Sequence, residues 1–216
     1  MKKNNLFLTF LFLFICSSVF AQDPTRFNDQ VKQINKENPP QNNQNAIVFT
    51  GSSTIRMWKS LPEDFPKHQL VNSGFGGSQA SDLLYYLDEL VLDYKPSKVF
   101  IYEGDNDISG GKSSEEILVT YELITNKIQE AVPGVEIILI SPKPSVARWE
   151  LKDKYNDLNS KLKKFSKGKK NVKFADLWKP MLDKDKEPMK DIFIKDNLHM
   201  NQKGYAIWAK AIKKYL

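Results

Sequence analysis

Five short apolar runs alternate along this chain with segments that carry helix signals, and that alternation admits few folds. The runs are Ile47–Thr50, Leu70–Asn72, Lys98–Tyr102, Val135–Ile140 and Val172–Ala175. Strands buried on both faces read as continuous apolar stretches of this kind, because helices cover each side of the sheet. Between them the sequence predicts a helix over Ser81–Leu92 and another opened by a Ser113/Glu116 capping box, running to about Ala131 and stopped by Pro133-Gly134. A helix near Ala147–Phe165 and a last one from Asn201 to Tyr215 complete the series. The expectation is an α/β fold, a three-layer α/β/α sandwich with a parallel central sheet of flavodoxin-like type. No internal repeat is visible.

The N-terminus is read separately. Lys2 and Lys3 precede a strongly apolar stretch, Leu6 to Phe20, and Val19-Phe20-Ala21 ends in a small residue. That is the pattern of a secretory signal cut after Ala21. The stretch is short against the roughly 20 residues of a membrane span, and a retained anchor is the alternative. Residues 1–21 are therefore expected to be a signal peptide and the protein to be exported, periplasmic or secreted. Residues 22–44 hold a helix over Pro24–Glu37 and a Pro39-Pro40 linker, and residues 45–216 form the main domain. Cys16 is the single cysteine and falls inside the signal. Leu13-Phe14-Ile15-Cys16 resembles a lipoprotein processing site except for the bulky Ile before the cysteine, so simple export is preferred over lipidation. A mature chain without a thiol excludes disulfides, cysteine catalysis and thiolate metal sites.

Without Lys2 and Lys3 the formal charge falls from +6 to +4. Much of the excess sits in Lys163, Lys164, Lys167, Lys169 and Lys170. Lysines gathered there suit a solvated helix end, where they interact well with the dipole. No nucleic-acid motif accompanies them, so no nucleic-acid partner is expected.

Histidine is scarce: His68 and His199 are the two in the chain. His68 lies in Pro66-Lys67-His68-Gln69 and has no neighbouring partner. His199 closes Asp196-Asn197-Leu198-His199, so one short loop supplies both an imidazole and a carboxylate to orient it, as a serine nucleophile requires. The serine candidates follow the first strand, in Gly51-Ser52-Ser53. Taken alone, such a segment is an ordinary helix cap. Two further clusters follow strands: Asn72 to Gly77 and Gly104-Asp105-Asn106-Asp107. In open α/β sheets the carboxyl ends of the strands are where sites gather. Asp105 and Asp107 without a clustered histidine are too few for a metal site, and none is expected.

Those four blocks, in that order, resemble the SGNH hydrolases, the GDSL-type esterase and lipase family, over Ala46 to Leu216. The resemblance implies a nucleophile at Ser53, with Ser52 in place of the family's usual aspartate, a base at His199 and an orienting carboxylate at Asp196. It implies an oxyanion hole from the Ser53 N–H, the Gly77 N–H and the Asn106 amide, with Gly76 the alternative if the register shifts by one. No metal or organic cofactor is implied. Arg56, Trp58, Arg148 and Trp149 are candidate substrate-binding residues, since aromatic faces stack and guanidinium forks pair with acids. The expected activity is hydrolysis of short-chain esters, acetyl esters on carbohydrate foremost, through an acyl-serine. Lysophospholipase or thioesterase action, and a non-catalytic glycan-binding member of the fold, are the alternatives. The oligomeric state is left open.

Overall fold

The structure, a computed structural model, describes residues 23–216. The expectations for the signal peptide and for Cys16 fall on residues 1–22 and lie outside the described residues. Fourteen regular elements succeed one another: α1 (Asn28–Glu37), β1 (Ile47–Gly51), α2 (Ser53–Arg56), α3 (Leu61–Asp64), β2 (Leu70–Gly74), α4 (Ala80–Tyr85), α5 (Leu87–Leu90), β3 (Lys98–Tyr102), α6 (Asp105–Ser109), α7 (Ser114–Ala131), β4 (Glu136–Ile140), α8 (Lys152–Lys167), β5 (Val172–Ala175) and α9 (Gln202–Ile212). Among the described residues no helix is long and apolar enough to cross a membrane.

The five strands form one sheet in the order β2-β1-β3-β4-β5, and every pairing is parallel. Successive side chains alternate between faces, so each strand feeds two cores. Val48, Val71, Val99, Ile101, Ile137 and Leu139 join one core with residues of α1, α4, α5, α7 and α8. Phe49, Phe100, Tyr102, Ile138 and Ile140 join the other with residues of α2, α3 and α9. Apolar residues on both faces of the strands give the three-layer sandwich that the alternation predicts. The second core is aromatic at its centre. Trp58 packs on Tyr205 at 5.6 Å and on Trp208 at 5.8 Å, and Phe49 stacks on Phe100 at 4.2 Å. Replacing Trp208 by alanine would empty that centre and cost about 3–5 kcal/mol.

The expected capping box opens α7, with the Ser113 Oγ accepting from the Glu116 N–H and the Glu116 carboxylate accepting from the Ser113 N–H. Three expected helices differ in detail. The helix over Ser81–Leu92 is broken at Tyr86, a buried residue whose hydroxyl donates to Asn28 Oδ1 at 2.6 Å and whose ring edges Phe75 at 6.3 Å. Those tertiary contacts outweigh the helical pattern on either side. The helix near Ala147–Phe165 starts late, at Lys152, because Trp149 is drawn into a stack on Trp178 at 5.8 Å. At the N-terminus the first turn, Pro24–Phe27, is a 3-10 helix, and α1 follows it.

The segment before β1 packs onto the body. Phe27 and Val31 are buried in the first core, and the Phe27 ring meets Phe75 edge-on at 5.0 Å. Arg26 pairs with the buried Asp82 at 2.8 Å. Tyr94 donates to Asn38 O at 2.9 Å. These contacts set α1 beside the turn that leaves β2.

Candidate active site

β1 ends on Gly51, whose φ of +128° is open to glycine, and a Cβ there would lie 2.0 Å from Tyr102 O. The chain then turns into α2, with Ser52 as N-cap and Ser53 as the first helical residue. Ser52 is buried and its N–H donates to Tyr102 O. Ser53 is half-buried and faces the other way. Its Oγ lies 2.8 Å from His199 Nε2. Of the two adjacent hydroxyls, the structure therefore brings Ser53 to the histidine.

His199 stands just before α9, which Asn201 caps through the N–H groups of Lys203 and Gly204. Its Nδ1 lies 2.6 Å from Asp196 Oδ2. Asp196 Oδ1 also accepts from the backbone N–H groups of Leu198 and His199, each at 2.9 Å. Burial works against this carboxylate, but the hydrogen bonds from the His199 ring, Leu198 and His199 prevail and hold its pKa down to about 2. An ionised carboxylate can only accept, so the proton of a neutral imidazole sits on Nδ1 and Nε2 is left to accept from the Ser53 hydroxyl. Asn197 makes the loop tight enough for this with a φ of +57°, a conformation asparagine tolerates. Tyr205 of α9 donates to Thr54 O at 2.9 Å, clamping the helix after His199 onto α2. His68, by contrast, lies on the loop between α3 and β2, away from this group.

Three donors line the same cleft as the Ser53 hydroxyl. The Ser53 N–H is an unpaired first-turn amide of α2. Gly77 follows β2 with a φ of +79°, a Cβ there would meet nothing within 4 Å, and its N–H has no acceptor among the described residues. Gly76, the alternative, is already engaged: its N–H donates to Gln30 Oε1 at 2.9 Å. Asn106 Nδ2 spends one hydrogen on Ser78 O at 2.8 Å and keeps a second. Ser53, Gly77, Asn106 and His199 all line one cleft of about 740 Å³. Gln30, Gln33 and Glu37 of α1, with Arg56, Lys59 and Asn72, supply much of its remaining wall.

The four substrate candidates part company. Arg56 is exposed and lines the cleft. Trp58 touches the cleft wall, but its ring is buried at 1% exposure and its Nε1 donates to Asp64, so it serves as core. Trp149 does not line the cleft, because its ring stacks on Trp178. Arg148 lines the cleft yet faces inward: its Nη1 reaches Asp105 Oδ1 at 2.5 Å, and both Nη atoms donate to Asn106 Oδ1 at 3.2 Å. It fixes which way the Asn106 amide points.

Asp105 is the hub of a buried group that residue patterns did not reveal. It accepts from Arg148, from Tyr155 at 2.6 Å and from Tyr102 at 2.9 Å, with Lys143 Nζ 3.8 Å away. Burial alone would push its carboxyl up, and the charges of Lys143 and Arg148 with the Tyr155 bond bring it below the usual range. Lys143, itself buried, donates to Leu198 O at 2.6 Å and so braces the loop that carries His199. Asp107 accepts from the N–H groups of Ala80 and Gly104 and pairs with Lys112 at 3.0 Å. Both aspartates are thus occupied by protein donors. Glu103, fully buried beside them, accepts from Ser78 Oγ at 2.6 Å. Burial and the nearby Asp107 raise its pKa well above 4.5. Among the described residues no group of three or more His, Cys, Asp or Glu is placed to hold a metal ion.

Residues 46–207 match the GDSL-like lipase/acylhydrolase family. A GDSL-like lipase from Bacteroides thetaiotaomicron superposes with a TM-score of 0.71 at 21% identity, covering 89% of this chain and 96% of that one. A carbohydrate esterase family 3 protein from Talaromyces cellulolyticus gives 0.62 at 18% identity, over 78% and 94%. At these identities the likeness is one of fold. A bifunctional GlmU protein from a Cyanothece species is 27% identical over 117 residues, which are 53% of this chain; the chain spans only 24% of that relative's length.

Proposed function

This chain belongs to the GDSL-like lipase/acylhydrolase family, and from that premise we propose that it is a serine esterase acting through an acyl-serine intermediate. The observation that carries the reading is the line Ser53 Oγ, His199 and Asp196, with contacts of 2.8 and 2.6 Å, opening on the cleft. Ser53 attacks the ester carbonyl while its proton passes to His199 Nε2, and Asp196 stabilises the imidazolium. The carbonyl oxygen, now negative, accepts from the Ser53 N–H, the Gly77 N–H and the spare hydrogen of Asn106 Nδ2. Each such donor is worth about 3–4 kcal/mol in the transition state. The tetrahedral species collapses, and His199 returns the proton to the leaving alcohol. Water, deprotonated by the same Nε2, then attacks the acyl-serine and releases the acid. The sequence of steps needs no metal or organic cofactor.

The substrate in this reading is a short-chain acyl ester, acetyl foremost, on a carbohydrate or similar polar alcohol. The cleft wall is largely polar, with Gln30, Gln33, Asn72, Arg56 and Lys59, which suits hydroxyl-rich partners better than long acyl chains. Residues 1–21 act as an export signal, residues 22–44 as a helical lead-in, and residues 45–216 as the hydrolase domain.

The test is hydrolysis of p-nitrophenyl acetate, butyrate and octanoate by the mature protein and by Ser53→Ala and His199→Ala. Turnover should fall by about 10⁴-fold or more in each variant, and acetate should be preferred. Activity that survives both substitutions refutes the mechanism, and a preference for octanoate would move the reading to lipid-directed or thioester substrates.

A further inference from the structure

Two walls of the cleft meet at Gly76, and both leave donors facing the space between them. On one side the Gly76 N–H donates to Gln30 Oε1 of α1 at 2.9 Å. That leaves the Gln30 amide hydrogens without a partner among the described residues. On the other side the Arg56 guanidinium lies across Gly76: a Cβ there would come within 2.9 Å of Nε and 3.2 Å of Nη2. Gly76 is not among the glycines of positive φ. Its missing side chain serves to give the guanidinium a seat.

A seated guanidinium normally has an acid to pair with. The Arg56 guanidinium has no ion pair or hydrogen bond to any described residue, although it lines the cleft with Ser53 and Gly77. Lys59, three residues on, lines the same wall, and its ammonium group has no partner among the described residues either. The acid of this wall, Glu37, accepts from the neutral Gln33 Nε2 at 2.7 Å and keeps its own charge. Arg148, the remaining cation of the lining, is neutralised by Asp105 at 2.5 Å. With Arg56 and Lys59 set against Glu37, the net charge left in the cleft is positive, and it stands beside the residues that would handle the ester.

We infer that this corner is an anion subsite: the substrate is an ester whose alcohol part carries a carboxylate, sulfate or phosphate that the Arg56 fork grips. The inference rests on the esterase reading above, since a short acyl group leaves the alcohol as the part able to reach Arg56. A guanidinium presents planar paired donors that match an oxyanion. An exposed ion pair by itself contributes little, but a fork already laid against the backbone loses less freedom on binding than a free side chain. Lys59 adds long-range attraction, and Gln30 a hydrogen bond to a neighbouring hydroxyl.

The experiment compares kcat/KM for an O-acetylated uronic acid, for its methyl ester, and for the 6-sulfate and 6-phosphate of an O-acetylated hexose. It uses the mature wild type, Arg56→Gln and Arg56→Lys, with p-nitrophenyl acetate as a neutral reference and Tm as a check on folding. The wild type should favour an anionic substrate over the methyl ester by about tenfold, mainly through KM, and lose that ratio as salt is raised. The ratio should fall to near one in Arg56→Gln and survive in part in Arg56→Lys, and the ranking among the anions identifies the preferred group. No preference in the wild type, or one unchanged in Arg56→Gln, overturns the subsite. Absence of Ser53-dependent turnover of p-nitrophenyl acetate would instead bring down the esterase reading itself, so the two failures are distinguishable.

Discussion

The Ser53–His199–Asp196 line and the Asp105 hub lie side by side, yet they are held in opposite ways. The His199 and Asp196 side chains are 22% and 42% exposed and sit on a surface loop. Around Asp105, at 6% exposure, two tyrosines, an arginine and a lysine converge. The groups proposed to move protons must be reached by solvent and substrate, so they are held by few contacts. Their geometry is set by the neighbouring group around Asp105: Lys143 braces the loop before His199, and Arg148, at the edge of the cleft, aims Asn106. Reactivity and rigidity are divided between two regions.

The contrast breaks most sharply at Asp196→Asn. The exchange preserves shape, but an amide cannot hold the imidazole in the tautomer with Nδ1 protonated. Turnover should fall by about 10⁴-fold, while Tm changes little because the carboxylate is largely solvated. The pKa of about 2 gives the sign for the wild type. The carboxylate's contribution is present above the ordinary 3.8 and is lost as pH falls through about 2, so the orientation of His199 survives moderate acid. A large loss of Tm in Asp196→Asn would show that the loop is structural after all.

A smaller effect separates Asn106 from the residue that aims it. Asn106→Ala should lower kcat by about 10²–10³ with little change in stability. Arg148→Met should lower kcat less, by roughly tenfold, but cost about 3 kcal/mol in urea unfolding, because it strips the main partner from a buried carboxylate. Equal losses of stability in the two variants would merge the regions that the comparison keeps apart.

The smallest effect is at Glu103. Its raised pKa means that the folded protein prefers the neutral acid: the favourable contribution is complete below the ordinary 4.5 and is lost as pH rises through the folded-state value. Glu103→Gln keeps the shape without the charge. Its Tm at neutral pH should match or exceed the wild type's, and its decline from pH 5 to 8 should be shallower. A steeper decline would mean that Glu103 is ionised and held by a partner.

The exposed region was also the legible one. Gly51-Ser52-Ser53, the two glycine-rich or acidic strand ends and Asp196 to His199 are local signals, because turns and short loops demand particular residues at fixed spacing. The five strands were visible for a similar reason, since burial on both faces leaves an unbroken apolar run. The hub was not legible. Nothing in Lys143-Pro144-Ser145-Val146-Ala147-Arg148-Trp149 distinguishes a buried lysine from a surface one, and Trp149 leaves the cleft it was expected to line because its ring stacks on Trp178. Gln30 likewise reaches Gly76 across 46 positions, a distance over which a single sequence carries no spacing to read. The broken helix at Tyr86 has the same origin, a contact with Asn28 that local propensity does not contain.

The 146 positions between Ser53 and His199 also have a bearing on time. Contacts so far apart in the chain close late, after the local helices and neighbouring strands have formed. Here the contact requires α9 in place, with Tyr205 latched to Thr54, before the histidine can meet the serine. A chain in which strands and other helices have formed but α9 has not docked would turn nothing over. Catalysis in this chain therefore reports a long-range contact, and during refolding its return should trail the return of secondary structure.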